Sequence, residues 1–255
     1  MADHRAANSP WIRCFRSVPH RRARLVCFPH AGGAASFYVP LSRTVTGACD
    51  VLAVQYPGRQ ERRQEPFRDN VHEMADEIAQ ALVPWTDVPL VLLGHSMGAT
   101  LAYEVTRRLE RDDPAAVARL IVSCRPAPSR TGRKTVELRS QDDVLAELRR
   151  LSGTDDRLLL EQEMIDMIVP ILIADYAAIR RYQHVPEPVL RTGITAFLGV
   201  DDPGVSHADA AAWEQHTTGT FALRLFPGGH FYFKDDPAPL ARAVSEVLSP
   251  LTAGV

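Results

Sequence analysis

Leu90-Val-Leu-Leu-Gly-His-Ser-Met-Gly98 decides the fold. A short apolar run leads into Gly94-His-Ser-Met-Gly98, and apolar residues at helical spacing lead out of it through Leu109. A strand that turns sharply into a helix holds the central serine in a strained conformation with its hydroxyl exposed. The flanking glycines are needed because side chains there would collide with neighbouring backbone. The five-residue pattern alone is common; its strand-turn-helix setting marks Ser96 as the candidate nucleophile.

Similar short apolar runs lie on either side: Arg24–Phe28, Val51–Val54, Leu120–Cys124, Ile194–Leu198 and Phe221–Phe226. They are continuous rather than alternating, as in a sheet covered on both faces. Helical patterns fall between them at Asn70–Leu82 and Met97–Leu109, and a last one spans Pro239–Leu251. Alternating strands and helices predict an α/β fold with a mostly parallel central sheet. Residues 126–188 break the rhythm with a loop rich in Pro, Ser and Arg and two helical patterns, Gln141–Leu151 and Leu158–Tyr182, the second interrupted by Pro170. They are read as a helical lid over the strand ends, mobile, with Ile165, Ile168, Leu172 and Tyr176 spaced to line a chamber.

The 255 residues suit one large domain over 1–255. Hydrophobic residues at 45% and charged residues at 24% exclude wholesale disorder. A net charge of -2 gives no reason to expect nucleic acid, and no apolar run is long enough to span a membrane. Residues 1–23 are arginine-rich and read as a solvated, partly mobile leader without a secretory signal, so a cytoplasmic monomer is expected. Cys14, Cys27, Cys49 and Cys124 show no metal-ligand spacing and are expected as reduced, buried small hydrophobes. No metal or cofactor is implied.

A serine hydroxyl needs an adjacent base. Of the nine histidines, His230 follows the last strand in the turn Pro227-Gly-Gly-His230, where glycines let the loop bend back. An acid must fix the imidazole tautomer. The strand Ile194–Leu198 ends in Gly199-Val-Asp-Asp-Pro203, which offers Asp201 and Asp202; Gly-x-x-Asp spacing favours Asp202. The order Ser, Asp, His is that of the α/β-hydrolases. An oxyanion needs two preorganised N–H donors. Met97, after the nucleophile, supplies one, and Ala31 in the small-residue loop Phe28-Pro-His-Ala-Gly-Gly33 is the choice for the other.

Phe28-Pro-His-Ala-Gly-Gly33, Gln55-Tyr-Pro-Gly-Arg59 with Arg62, and Gly94-His-Ser-Met-Gly98 leading to Ala102-Tyr-Glu104 together resemble the type II thioesterases. These are stand-alone editing hydrolases of polyketide and nonribosomal peptide synthesis, and the resemblance runs from Trp11 to the last helix. Tyr56 stands where leucine is common, which touches nothing catalytic. Thioesterase domains fused to synthases take their acid from the strand after the nucleophile helix. Here that strand ends Val122-Ser-Cys-Arg125 without a carboxylate, so the stand-alone arrangement with Asp202 is implied. The resemblance implies removal of acyl groups from phosphopantetheine arms of carrier proteins through a Ser96 acyl-enzyme. Arg59, Arg62, Arg63 and the Arg125–Lys134 loop would face the acidic carrier at the entrance. The alternative is a general carboxylesterase or lipase, whose triad would be identical.

Overall fold

Four of the strands are buried along their whole length, because helices cover both faces of the sheet they form. The computed structural model describes residues 9–130, 136–151 and 162–252. Its elements run β1 (Ile12–Arg16), β2 (Ala23–Phe28), α1 (Val39–Thr44), β3 (Cys49–Val54), α2 (Val71–Leu82), β4 (Leu90–His95), α3 (Met97–Asp112) and β5 (Val117–Ser123). They continue with α4 (Gln141–Leu151), α5 (Gln162–Arg181), β6 (Ile194–Gly199), α6 (His207–Ala211), β7 (Phe221–Phe226) and α7 (Ala238–Thr252). One sheet has the order β1-β3-β2-β4-β5-β6-β7. β1 pairs with β3 antiparallel, and every other pairing is parallel.

Alternation along the strands explains the continuous apolar runs. Val26, Leu52, Val54, Leu90 and Leu92 pack in one cluster with Met74 and Ile78 of α2 and Leu101 and Val105 of α3. Their neighbours Leu25, Cys27, Val51, Ala53, Val91 and Leu93 pack in the other with Leu41 of α1 and Leu240, Val244 and Leu248 of α7. α2 starts where it does because the Asn70 side chain accepts hydrogen bonds from the His72 and Glu73 amides.

Strand progression reverses between β2 and β4, the switch point where open α/β sheets bind ligands at their carboxyl ends. Phe28 pairs with Gly94 across that seam, so the loop carrying Ala31 emerges beside the turn carrying Ser96. Gly98 makes this approach possible: a Cβ there would collide with the Phe28 and Pro29 carbonyls.

Three expectations need correction. The arginine-rich leader includes an ordered edge strand, β1, pinned because Trp11 and Ile12 are buried while Cys14 is exposed; residues 1–8 lie outside the described residues. A charged, one-sided edge strand carries no apolar run to reveal it. Cys14 is accordingly not a buried hydrophobe, unlike Cys27, Cys49 and Cys124. Pro170 does not interrupt α5, because it lies on the exposed face, where solvent can satisfy the carbonyl it leaves unbonded. Positions 158–161 of that helical pattern, and 131–135 of the preceding loop, are outside the described residues.

Candidate active site

Ser96 caps the N-terminus of α3 at φ 53°, ψ -119°, a left-handed conformation that non-glycine residues seldom adopt. Its amide donates to the Ser123 carbonyl at 2.8 Å, which ties the turn to the end of β5. A Cβ at Gly94 would strike the Gly98 carbonyl and the Ala99 backbone, so the turn cannot tolerate a side chain there. The Met97 N–H opens the helix and has no preceding helical carbonyl to bond. Its dipole adds positive potential at the same place.

The ends of β5, β6 and β7 continue the line. His230 Nδ1 and Asp202 Oδ2 are 2.8 Å apart, with both side chains buried. The Gly204 amide donates to Asp202 Oδ1 at 2.8 Å, and the Cys124 thiol lies beside the same carboxylate. Burial alone would raise the Asp202 pKa; the His230 hydrogen bond and charge, with the Gly204 amide and the Cys124 thiol, outweigh it and hold the carboxyl below its ordinary value. Asp201 is exposed, and its amide bonds the Gly228 carbonyl. Gly199 lets the two loops touch, since a Cβ there would collide with the Gly228 and Gly229 carbonyls.

Cys124, Asp202 and His230 place three possible ligand atoms within 4.8 Å of one another. Burial, then the Asp202 charge, pushes the Cys124 thiol well above its ordinary pKa. A protonated thiol beside a carboxylate is a supporting group rather than a thiolate ligand. Cys124 was legible in the sequence only as a small buried residue; its contact with Asp202, 78 positions on, arises in the fold.

Ala31, Ser96 and His230 line a cavity with two lobes. One, about 120 Å³, is walled also by Met97, Arg125, Glu147, Arg150 and Tyr176. The other, about 60 Å³, is the more apolar: it shares Glu147 and Tyr176 with the first and adds Leu138, Val144, Leu148, Ile168 and Leu172. Ile168, Leu172 and Tyr176 therefore stand where their spacing suggested, whereas Ile165 is buried in packing away from both walls. His230 Nε2 is buried and makes no hydrogen bond to Ser96 or any other described residue. Such contacts are often long without substrate and tighten when it binds.

Two further histidines flank the site and stay neutral. Burial, then His230 and Arg59, lowers His30 to about 3; burial, then His230 and His30, takes His95 well below its ordinary value. His95 is turned away from Ser96, with Nδ1 3.0 Å from the Ser123 hydroxyl.

The motif Gln55–Arg59 braces the Ala31 loop instead of facing a partner. Tyr56 donates to the Pro29 carbonyl at 3.1 Å, and Gln55 Oε1 accepts from the Ala35 amide at 2.7 Å. Arg59 and Asp175 of α5 form a buried ion pair, and Asp175 Oδ2 also accepts the Gly32 amide at 2.8 Å. Arg62 lies over the Trp11 ring and pairs with Glu65. Both arginines are 4% exposed, so neither is available at an entrance; Arg63 is exposed. Asp175→Ala is expected to cost about 3–5 kcal/mol in denaturant unfolding, because it strands a buried guanidinium. The double variant Arg59→Met/Asp175→Leu, which removes both charges, should recover most of that loss.

Residues 23–248 match the thioesterase domain family. The chain is 41% identical over 249 residues to a probable cadicidin biosynthesis thioesterase of Streptomyces griseus, covering 98% of this chain and 68% of that one. It is 40% identical over 239 residues to the thioesterase PikA5 of Streptomyces venezuelae, covering 93% and 85%. Among solved structures, the type II thioesterase BorB from the borrelidin biosynthetic cluster superposes with a TM-score of 0.85 at 42% identity, covering 93% and 97%.

Proposed function

Since this chain belongs to the thioesterase family, we propose that it is a type II, stand-alone thioesterase that removes aberrant or stalled acyl groups from the phosphopantetheine arms of carrier proteins in polyketide or nonribosomal peptide synthesis. The observation that carries the reading is Ser96, held at φ 53° in the wall of the cavity that His230 also lines, with the buried Asp202 bonded to that histidine. The relatives named for biosynthetic thioesterases and the likeness to BorB support the substrate class.

In this reading His230 takes the Ser96 proton as the hydroxyl attacks the thioester carbonyl. Asp202 fixes the tautomer that leaves Nε2 free to accept it. The Ala31 and Met97 amides hold the oxyanion, and neutral His30 and His95 put no positive charge against the imidazolium that forms on His230. The thiol leaves as the tetrahedral intermediate collapses to a Ser96 acyl-enzyme. Water, activated by the same His230, releases the free acid. Residues 126–188 serve as the lid, with α4 and α5 joined by the Tyr176 to Glu147 hydrogen bond at 3.0 Å. Asp175 docks α5 on the core, so opening belongs to segments other than the middle of that helix.

The whole chain acts as one domain, a monomer in the cytoplasm. No described helix is long and apolar enough to cross a membrane.

The test is turnover of one acyl group presented on a carrier protein, on free pantetheine and as a simple oxygen ester. Carrier-bound thioester should be hydrolysed most efficiently and the oxygen ester least. Equal efficiency on all three would replace this reading with a general carboxylesterase.

A further inference from the structure

Arg125 is an anomaly in the wall of the larger lobe. Its Nε is buried and has no hydrogen-bond partner. Arg21, Arg24, Arg59 and Arg68 also have a buried, unpartnered Nε, yet each of them holds an ion pair with Asp50, Asp87, Asp175 or Glu77. Arg125 pairs with no carboxylate among the described residues. The nearest wall acid, Glu147, is committed: Arg150 donates to it twice, at 2.6 and 2.7 Å, and Tyr176 once. Burial lowers the Arg125 pKa to about 10, which leaves it charged at neutral pH.

Arg125 as a whole is half-buried with its Nε inside, and a guanidinium nitrogen withdrawn from water ordinarily has an acceptor. The position is also fixed: Arg125 follows Cys124, at φ 49°, and its carbonyl accepts the Trp213 indole N–H at 2.8 Å. A guanidinium on a fixed backbone, without an acid among the described residues and opening on the cavity that holds Ser96, is suited to a ligand oxygen. The other lobe shares the committed Glu147 and adds Leu138, Val144, Leu148, Ile168 and Leu172, which offer hydrocarbon contact instead.

We propose that Arg125 forms a polar subsite that binds an acceptor oxygen of the thioester substrate, while the apolar lobe takes bare hydrocarbon. This rests on the thioesterase reading above. The oxygen has two possible sources, an amide carbonyl of the pantetheine arm or an oxygen substituent on the acyl chain.

Four substrates separate them: butyryl and 3-hydroxybutyryl, each on pantetheine and on ethanethiol. A charge-assisted hydrogen bond lost with Arg125→Met should lower kcat/KM about 10- to 100-fold wherever the bonded oxygen is present. Loss on both pantetheine substrates alone assigns the arm; loss on both hydroxylated substrates alone assigns the acyl chain. Butyryl ethanethiol ester, which carries neither, should be unchanged in the variant. Equal loss on all four, or loss on none, overturns the subsite. The wild-type protein provides a check independent of folding: butyryl ethanethiol ester must be about tenfold poorer than the two substrates that carry the bonded oxygen, and equal turnover of all four also overturns the proposal. If the wild type hydrolyses none of them, the thioesterase reading itself fails.

Discussion

Ser96→Ala and His230→Ala each lower thioester turnover by roughly 10^4- to 10^6-fold, and combining them lowers it little further, because nucleophile and base act as one unit. The basis is positional. Ser96 sits at the start of α3 and His230 in the turn after β7, both on the same cavity wall, and no other described serine shares that wall with His230. Stability should change little. Ser96 is strained at φ 53°, and alanine there has no more freedom in the left-handed region than serine has. The measurement is steady-state turnover beside a denaturant unfolding curve. Labelling of the wild-type protein by a fluorophosphonate, lost in Ser96→Ala and slowed severely in His230→Ala, ties the loss to the nucleophile. Residual activity above one hundredth of wild type would mean that another group attacks the thioester in Ser96→Ala, or that another base serves Ser96 in His230→Ala.

Asp202→Asn is the second large effect, with a fall of roughly 10^4-fold, while Asp201→Asn stays within about twofold. Only Asp202 reaches His230 Nδ1, and an amide NH2 in its place would donate to that nitrogen and favour the wrong tautomer. Asp201 points to solvent. The same substitution carries a pH signature. The folded carboxyl is held below its ordinary value, so its contribution to stability is complete above the unfolded value and is lost as pH falls through the folded one. Wild type and Asp202→Asn should therefore differ most near neutrality and converge in strong acid. Paired kinetic and unfolding measurements across that range check both halves; a crippled Asp201→Asn with an active Asp202→Asn would reassign the acid.

Elements whose signal is local were legible in the sequence. β7 and α4 have the bounds their patterns suggested, and the buried strands differ by a few residues at their ends. A strand covered on both faces must be apolar throughout, and that run can be read without knowing what covers it. The turn at Ser96 was legible for the same reason, since its glycines are demanded by backbone a few residues away. β1 was not, because an edge strand with one face in solvent carries arginines and a cysteine as freely as a loop does.

Only the tertiary structure decided what stands opposite each polar side chain. From sequence, Arg59 and Arg62 read as solvated charges at an entrance; the fold buries both, one against Asp175, 116 residues away, and one over Trp11. Cys124 came to lie beside Asp202, and Arg125 to stand without an acid among the described residues, through the same long-range meeting of strand ends. Periodicity along the chain specifies which face a residue occupies, because backbone geometry is local. The partner on that face comes from another segment, and the energy of a buried charge depends almost wholly on that partner.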